Sequence, residues 1–210
     1  MNHIIDFLHL RSPRKFWHPI IGLSLLGAFG WFLLFPSMTY AQDPVVTPLD
    51  QHVESMRFGM KLLGGWALAN IVTGSLGRSQ TSGTTRYFHE MNAGWNAVNL
   101  TIASVALMTL PDVSTWTLEQ GVQEASRLDK ILLFNAGLDL GYMALGYALI
   151  ERGKRLDSSR LQGYGQSLIL QGAFLFVFDI AFAYFHVDIT EAIRVQSMAG
   201  GAGLTFSMNL

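Results

Sequence analysis

The sequence contains no cysteine. That excludes disulfides, thiolate catalysis, Fe–S clusters and a thiol-linked lipid anchor together. Charge is scarce as well: 14% of the 210 residues are charged, with 14 Lys+Arg against 15 Asp+Glu and a formal net charge of −1. Soluble domains run nearer about 25% charged. A nucleic-acid binder needs a basic field to neutralise phosphates, so no nucleic-acid partner is expected. The 21 glycines follow no Gly-X-Y period and are not collagen-like. What remains is apolar: half of the residues are hydrophobic and mean hydropathy is +0.30. This composition predicts a membrane protein, in which small residues let helices approach closely.

The N-terminus combines Arg11, Arg14 and Lys15 with an apolar run from about Ile20 to Phe35. Pro36 follows, and then Thr39 and Ala41 stand at the −3 and −1 positions of a small-residue site. A basic stretch, an apolar stretch and a small-residue site read as a secretory signal peptide over residues 1–41, with a mature chain starting near Gln42. The competing reading is an uncleaved anchor, because the apolar run is slightly longer than usual, though short of the ~20 residues of a full span. Residues 42–55 then read as a polar, proline-containing lead-in outside the membrane.

Four apolar stretches follow, at about Met56–Leu76, His89–Leu110, Ile131–Ile150 and Ser167–Phe185. The third is prefixed by an amphipathic stretch from Leu118. Each approaches the ~20 residues that cross a hydrocarbon core. The first is the least apolar, carrying Arg57, Lys61 and Asn70. The fold class expected is all-α: an antiparallel four-helix transmembrane bundle over 56–186, preceded by the signal peptide. Residues 187–210 form an outer C-terminal tail, with Leu204, Phe206, Met208 and Leu210 alternating with other residues. Arg78, Arg86, Arg152, Lys154, Arg155 and Arg160 fall in two loops, at 77–88 and 151–166. Most of the acids fall in the other segments, so the Lys/Arg bias and the signal peptide give one threading, with both mature termini outside. Gly137 and Gly141 on the third span, and Ala93 and Ala97 on the second, have spacings that suit close helix packing.

Polar groups inside hydrocarbon are costly, and each asks for a partner or a task. The second span carries His89, Asn92, Asn96 and Asn99 on one helical stripe. The third carries Asn135, Asp139 and Tyr142 on one face, and the fourth Gln171, Asp179 and His186 on another. At 1.5 Å per residue, Asp139 and Asp179 both lie ~10–12 Å below the outer end. Lys61 falls in the same outer half. The expectation is an ionic layer in which Lys61 or Arg57 neutralises the aspartates, above an amide layer joining Asn70 to Asn96 and Asn99. These residues are either packing groups or the lining of a polar pocket that takes a solute, a proton or a lipid head group.

Several chemistries fail on the residues. His89 and His186 stand at opposite ends of the spans, which argues against bis-histidine haem. His89-Glu90 has Ala93 where a zinc-protease helix needs its second histidine. The aspartates lack the Gly-x-Gly-Asp motif of aspartyl intramembrane proteases, since Leu138 precedes Asp139. No phosphate loop, dinucleotide fingerprint or nucleophile elbow is present. No metal and no cofactor is therefore expected. Tyr87, Trp116, Tyr164 and Tyr184 sit where interfacial aromatics would.

The stretch from Trp66 to Asn70, with Arg86, His89, Asn92, Trp95, Asn96 and Asn99 beyond it, resembles an uncharacterised family of small bacterial four-helix membrane proteins, a domain of unknown function. The resemblance covers the first two spans best and implies the four-span architecture, but brings no activity, cofactor or catalytic residue. The function expected is a non-enzymatic accessory or scaffold of the bacterial cytoplasmic membrane, partnered by lipid and by another membrane protein or a second copy of the chain. The alternative is a small carrier or channel-like protein with a pocket of Asn96, Asn99, Asp139 and Asp179. A third class is a lipid- or quinone-acting enzyme using His89 and Glu90 or the aspartate pair.

Overall fold

A computed structural model describes residues 47–207, with side chains described through Ala199. The expected signal peptide at 1–41 and residues 42–46 of the lead-in lie outside the described residues. The described part contains four α-helices: α1 Pro48–Gln80, α2 Gly83–Met108, α3 Leu118–Arg155 and α4 Ser159–Ser207. One 3-10 turn, Val113–Thr115, lies between α2 and α3.

Local chemistry sets the ends. Thr47 and Asp50 form a capping box, with Pro48 at the first helical position, where its missing N–H is harmless. The helix therefore starts inside the expected lead-in, eight residues before Met56. Thr117 and Gln120 repeat the box at the start of α3, matching the amphipathic prefix. Pro111 follows the end of α2, and the Asp112 side chain accepts from the Ser114 N–H to shape the 3-10 turn. Gly83 has φ +58°, which only glycine adopts cheaply, so α1 can reverse into α2 across two residues. At the other end α4 stays helical to Ser207, where the sequence pattern suggests a tail.

Glycine contacts give the register. Gly64 faces Ala103 and Gly74 faces the His89 carbonyl and Ala93, so α1 and α2 are antiparallel. Gly146 faces Gly165 and Gly153 faces Gln162, so α3 and α4 are antiparallel too. Gly163 meets Thr84 and Phe88, and Gln171 bonds Asn92, which makes α2 and α4 parallel neighbours. Helix α4 thus packs along both α3 and α2, while α1 and α3 scarcely touch. Ala93 packs closely against Gly74 on α1, but Ala97, its partner in the spacing, is exposed. Gly137 and Gly141 do not pack closely: both are exposed, with open space where a Cβ would stand. In a glycine-rich helix the spacing alone does not say which face turns inward.

Two apolar clusters lie along the bundle. Leu49, Ala125 and Ile193 form one at the α1 N-terminal end, with Trp116 and Val122 against them. Leu63, Ala103 and Phe178 form the other, nearer the middle. Between and below them the interior is polar. By length and apolar content, α3 and α4 can cross a membrane. Helices α1 and α2, diluted by Arg57, Lys61, Asn70 and three asparagines, fall short of that criterion.

Candidate polar column

The buried polar residues form three layers. The uppermost joins α1, α3 and α4. His52 Nδ1 lies 2.8 Å from His186 Nε2, and His186 Nδ1 lies 2.6 Å from Asp129 Oδ1. Thr190 donates its hydroxyl proton to Asp129 Oδ2 at 2.8 Å. A carboxylate only accepts, so His186 donates from Nδ1 to Asp129, and its Nε2 shares one proton with His52 Nδ1. Both rings are almost fully buried. His52 stands outside the expected spans, and its pKa is pushed down to about 4, mainly by burial, with His186 adding to the effect and Asp129 opposing it.

Sequence reasoning placed His186 on a stripe but missed His52, Asp129 and Thr190. The Thr47-to-Asp50 capping box was the available signal, because it extends α1 back through His52.

The middle layer holds Asp139 and Asp179, both buried, whose carboxyl groups hydrogen-bond to each other. Neither expected cation is there. Lys61 is exposed, and Arg57 pairs with Glu54 at 3.1 Å. Lys61 points outward because the inward face of this stretch of α1 is taken by Leu63, Gly64 and Ala67. Asn135, one turn up α3, is half-buried. Four buried polar atoms on α2 and α3 have no hydrogen-bond partner: Trp95 Nε1, Asn96 Oδ1, Asn99 Nδ2 and Asp139 Oδ2.

The lower layer is a closed ring of hydrogen bonds between α1, α2 and α4. Trp66 Nε1 donates to Gln171 Oε1 at 3.1 Å, and the Gln171 amide donates to Asn92 Oδ1. Asn92 Nδ2 donates to Asn70 Oδ1 at 2.8 Å, and Asn70 Nδ2 returns to the Trp66 carbonyl at 2.8 Å. Asn96 Nδ2 donates to the Asn92 carbonyl on its own helix. Asn70 therefore meets Asn92, not Asn96 and Asn99 as expected, because the α1–α2 register sets it one to two turns lower on α2.

His89 is half-buried beneath this ring, near Gly77, with Nδ1 unpartnered. At the same end Glu90 accepts from Arg78 Nε at 2.9 Å and from the Tyr164 hydroxyl at 2.6 Å. The Arg160 guanidinium stands 5.1 Å from the Tyr164 ring centroid.

A family of unknown function, DUF6992, matches residues 62–180, more than half of the chain. The match takes in Trp66 to Asn70, the asparagine stripe, both middle-layer aspartates and Gln171. It leaves His52 and His186 outside. No curated protein and no solved structure matches the chain.

Proposed function

The chain belongs to that family, DUF6992, and with no activity to inherit from it we propose a four-span integral membrane protein that serves as a non-enzymatic accessory or scaffold of a bacterial cytoplasmic membrane. The observation that supports this reading is the inverted distribution of polarity. Asn96 and Gln171 are 0% exposed, while Leu68, Val72 and Leu76 on α1 are all more than half exposed. Val98, Ile102 and Val105 repeat the exposed stripe on α2, as do Leu133 and Phe134 on α3 and Val177 and Ile180 on α4. In water this arrangement exposes apolar surface and buries polar groups, both unfavourable. In lipid it is the favourable one, because tails solvate the stripes and polar groups join the helices. All four helices carry the stripe, including the two whose average composition is less apolar.

The closed ring through Trp66, Gln171, Asn92 and Asn70 supports the scaffold role. Its side chains direct their hydrogen bonds at one another, which suits a packing key. The threading that fits the charges puts Arg78, Lys154 and Arg155 on the cytoplasmic side and both mature termini outside.

The chain has no thiol of its own, so single cysteines test this threading cleanly. Asp112→Cys should react with a membrane-impermeant maleimide in intact cells, and Asp157→Cys only after permeabilisation. Equal reactivity at both positions, or release of the protein by alkaline carbonate, would refute the span assignment.

The four unpartnered atoms on α2 and α3 favour a second reading, a small carrier or channel-like protein with its pocket at Asn96, Asn99, Asp139 and Asp179. Solute uptake into liposomes that is lost in Asp179→Asn would select it over the scaffold.

A further inference from the structure

We propose that Asp139 takes up and releases a proton from water between α2 and α3, while Asp179 keeps its own acid proton and donates it to Asp139. The site is thereby a proton-binding centre inside the bundle. This rests on the pocket reading above and names its ligand.

Among the described residues, Asp139 and Asp179 are the two acids buried to this degree, 3% and 6% exposed. Their carboxyl groups hydrogen-bond to each other. Two carboxylates cannot do this, since both are acceptors only, so at least one proton stays between them. No cation compensates the pair. On α1, Lys61 is exposed and Arg57 is held by Glu54. Helix α2 offers Asn96 and Asn99, α3 offers Tyr142, and His186 on α4 is engaged two turns above by Asp129. A lone negative charge is thus tolerated here only with help from neutral donors.

Those donors are in place. Trp95 on α2 packs edge-on against Tyr142 on α3, with ring centroids 4.9 Å apart. Asn99 stands one turn above Trp95, and Asp139 one turn above Tyr142. Asn99 Nδ2 and Asp139 Oδ2, on the two helices that meet at this contact, are both buried and unpartnered. Trp95 Nε1 adds a donor and Asn96 Oδ1 an acceptor. A mixed set of donors and acceptors suits water, which does both. It does not suit a bare metal cation, which needs acceptors alone.

In the step itself the Asp139 O–H bond breaks and water takes the proton as hydronium. The carboxylate left behind accepts from the Asp179 acid, with the second oxygen turned toward Asn99. Uptake is the reverse, and no other reactant is needed.

The test uses the full-length protein in lipid nanodiscs, followed by infrared spectroscopy over a pH series and by labelling with a hydrophobic carbodiimide. Expected are protonated-carboxyl carbonyl bands lost in two separate steps as pH rises, the Asp139 band first while the Asp179 band persists, with carbodiimide adducts on Asp139 and Asp179 that fade in the same order. Asp139→Asn should remove one step. A wild-type protein at neutral pH with no protonated-carboxyl band and no adduct overturns the proposal, and that result needs no variant to fold. Bands unchanged in both Asp139→Asn and Asp179→Asn would overturn it as well. Failure of the maleimide threading test with these bands intact would refute only the membrane assignment.

Discussion

At the scale of single residues, the His52–His186 contact makes the α1 N-terminal end of the molecule sensitive to acid. Burial holds the folded pKa of His52 at about 4 against an ordinary 6.5. Between those values the unfolded chain binds the proton and the folded one does not, so stability rises with pH. The contribution is complete above pH 6.5 and falls as pH drops toward about 4, below which no more is lost. At 1.36 kcal/mol per pKa unit the whole swing is roughly 3 kcal/mol. Thermal melts in mild detergent at pH 7 and at pH 4.5 should show the loss, and His52→Gln should flatten it. A wild-type melting temperature that does not move across this window would contradict a buried, neutral His52. Gln171 offers a second case. Gln171→Leu leaves the Trp66 N–H and the Asn92 Oδ1 unpaired inside the ring, at a cost of about 1–3 kcal/mol. Denaturant titration in detergent micelles measures it, and a neutral effect would mean that the ring does not hold the helices.

At the scale of helices, glycines decide which pairs approach closely. A Cβ on Gly146 would lie 2.6 Å from the Gly165 carbonyl, and one on Gly165 would meet the Gly146 carbonyl in turn. Gly165→Ala must push α3 and α4 apart, and overpacking of this kind costs about 1–3 kcal/mol. Gly137→Ala and Gly141→Ala meet nothing, and should be neutral or stabilising by up to about 1 kcal/mol through helix propensity. A stability comparison of the three variants in detergent separates the faces.

These same residues show how far the sequence could be read. The four helices, the family and the polar stripes were legible because each depends on spacing within one segment. Partners depend on rotation and register between segments, which no single stripe contains. So Asn92, Asp139 and Gln171 were identified as inward groups, but Asn70 was matched to the wrong asparagines. Lys61 was paired with aspartates it does not reach, since one residue's rotation around α1 separates the outer face from the interior. His52 was lost because a polar lead-in and the first turns of a capped helix have similar composition.

At the scale of the whole molecule, the helices are longer than the proposed membrane crossing needs. Helices of 33, 38 and 49 residues reach about 50, 57 and 73 Å at 1.5 Å per residue, against a hydrocarbon core of about 30 Å. The excess at the α1 N-terminal end carries the Leu49, Ala125 and Ile193 cluster and the histidine layer beneath it. The C-terminal part of α4 is therefore not a dispensable tail. Truncation after Asp188 removes Thr190 and Ile193, strips Asp129 of its hydroxyl donor and uncovers Leu49. Amide hydrogen exchange should then rise at 48–55 and 118–130 while 60–76 stays protected. Unchanged exchange at 48–55 would show that the Leu49 cluster and the histidine layer are independent of α4's last turns.

In the proposed bilayer setting, the separation of the Leu49 cluster from the ring through Gln171 means that one molecule answers to two solvents. The Leu49 cluster projects toward water and coheres by the hydrophobic effect, which urea weakens. The ring through Gln171 sits where lipid gives no such drive and coheres by hydrogen bonds and close glycine contacts, which urea in the aqueous phase barely reaches. Urea and a harsh detergent should therefore dismantle the protein from opposite ends, the first loosening the histidine layer and the second parting α4 from α2.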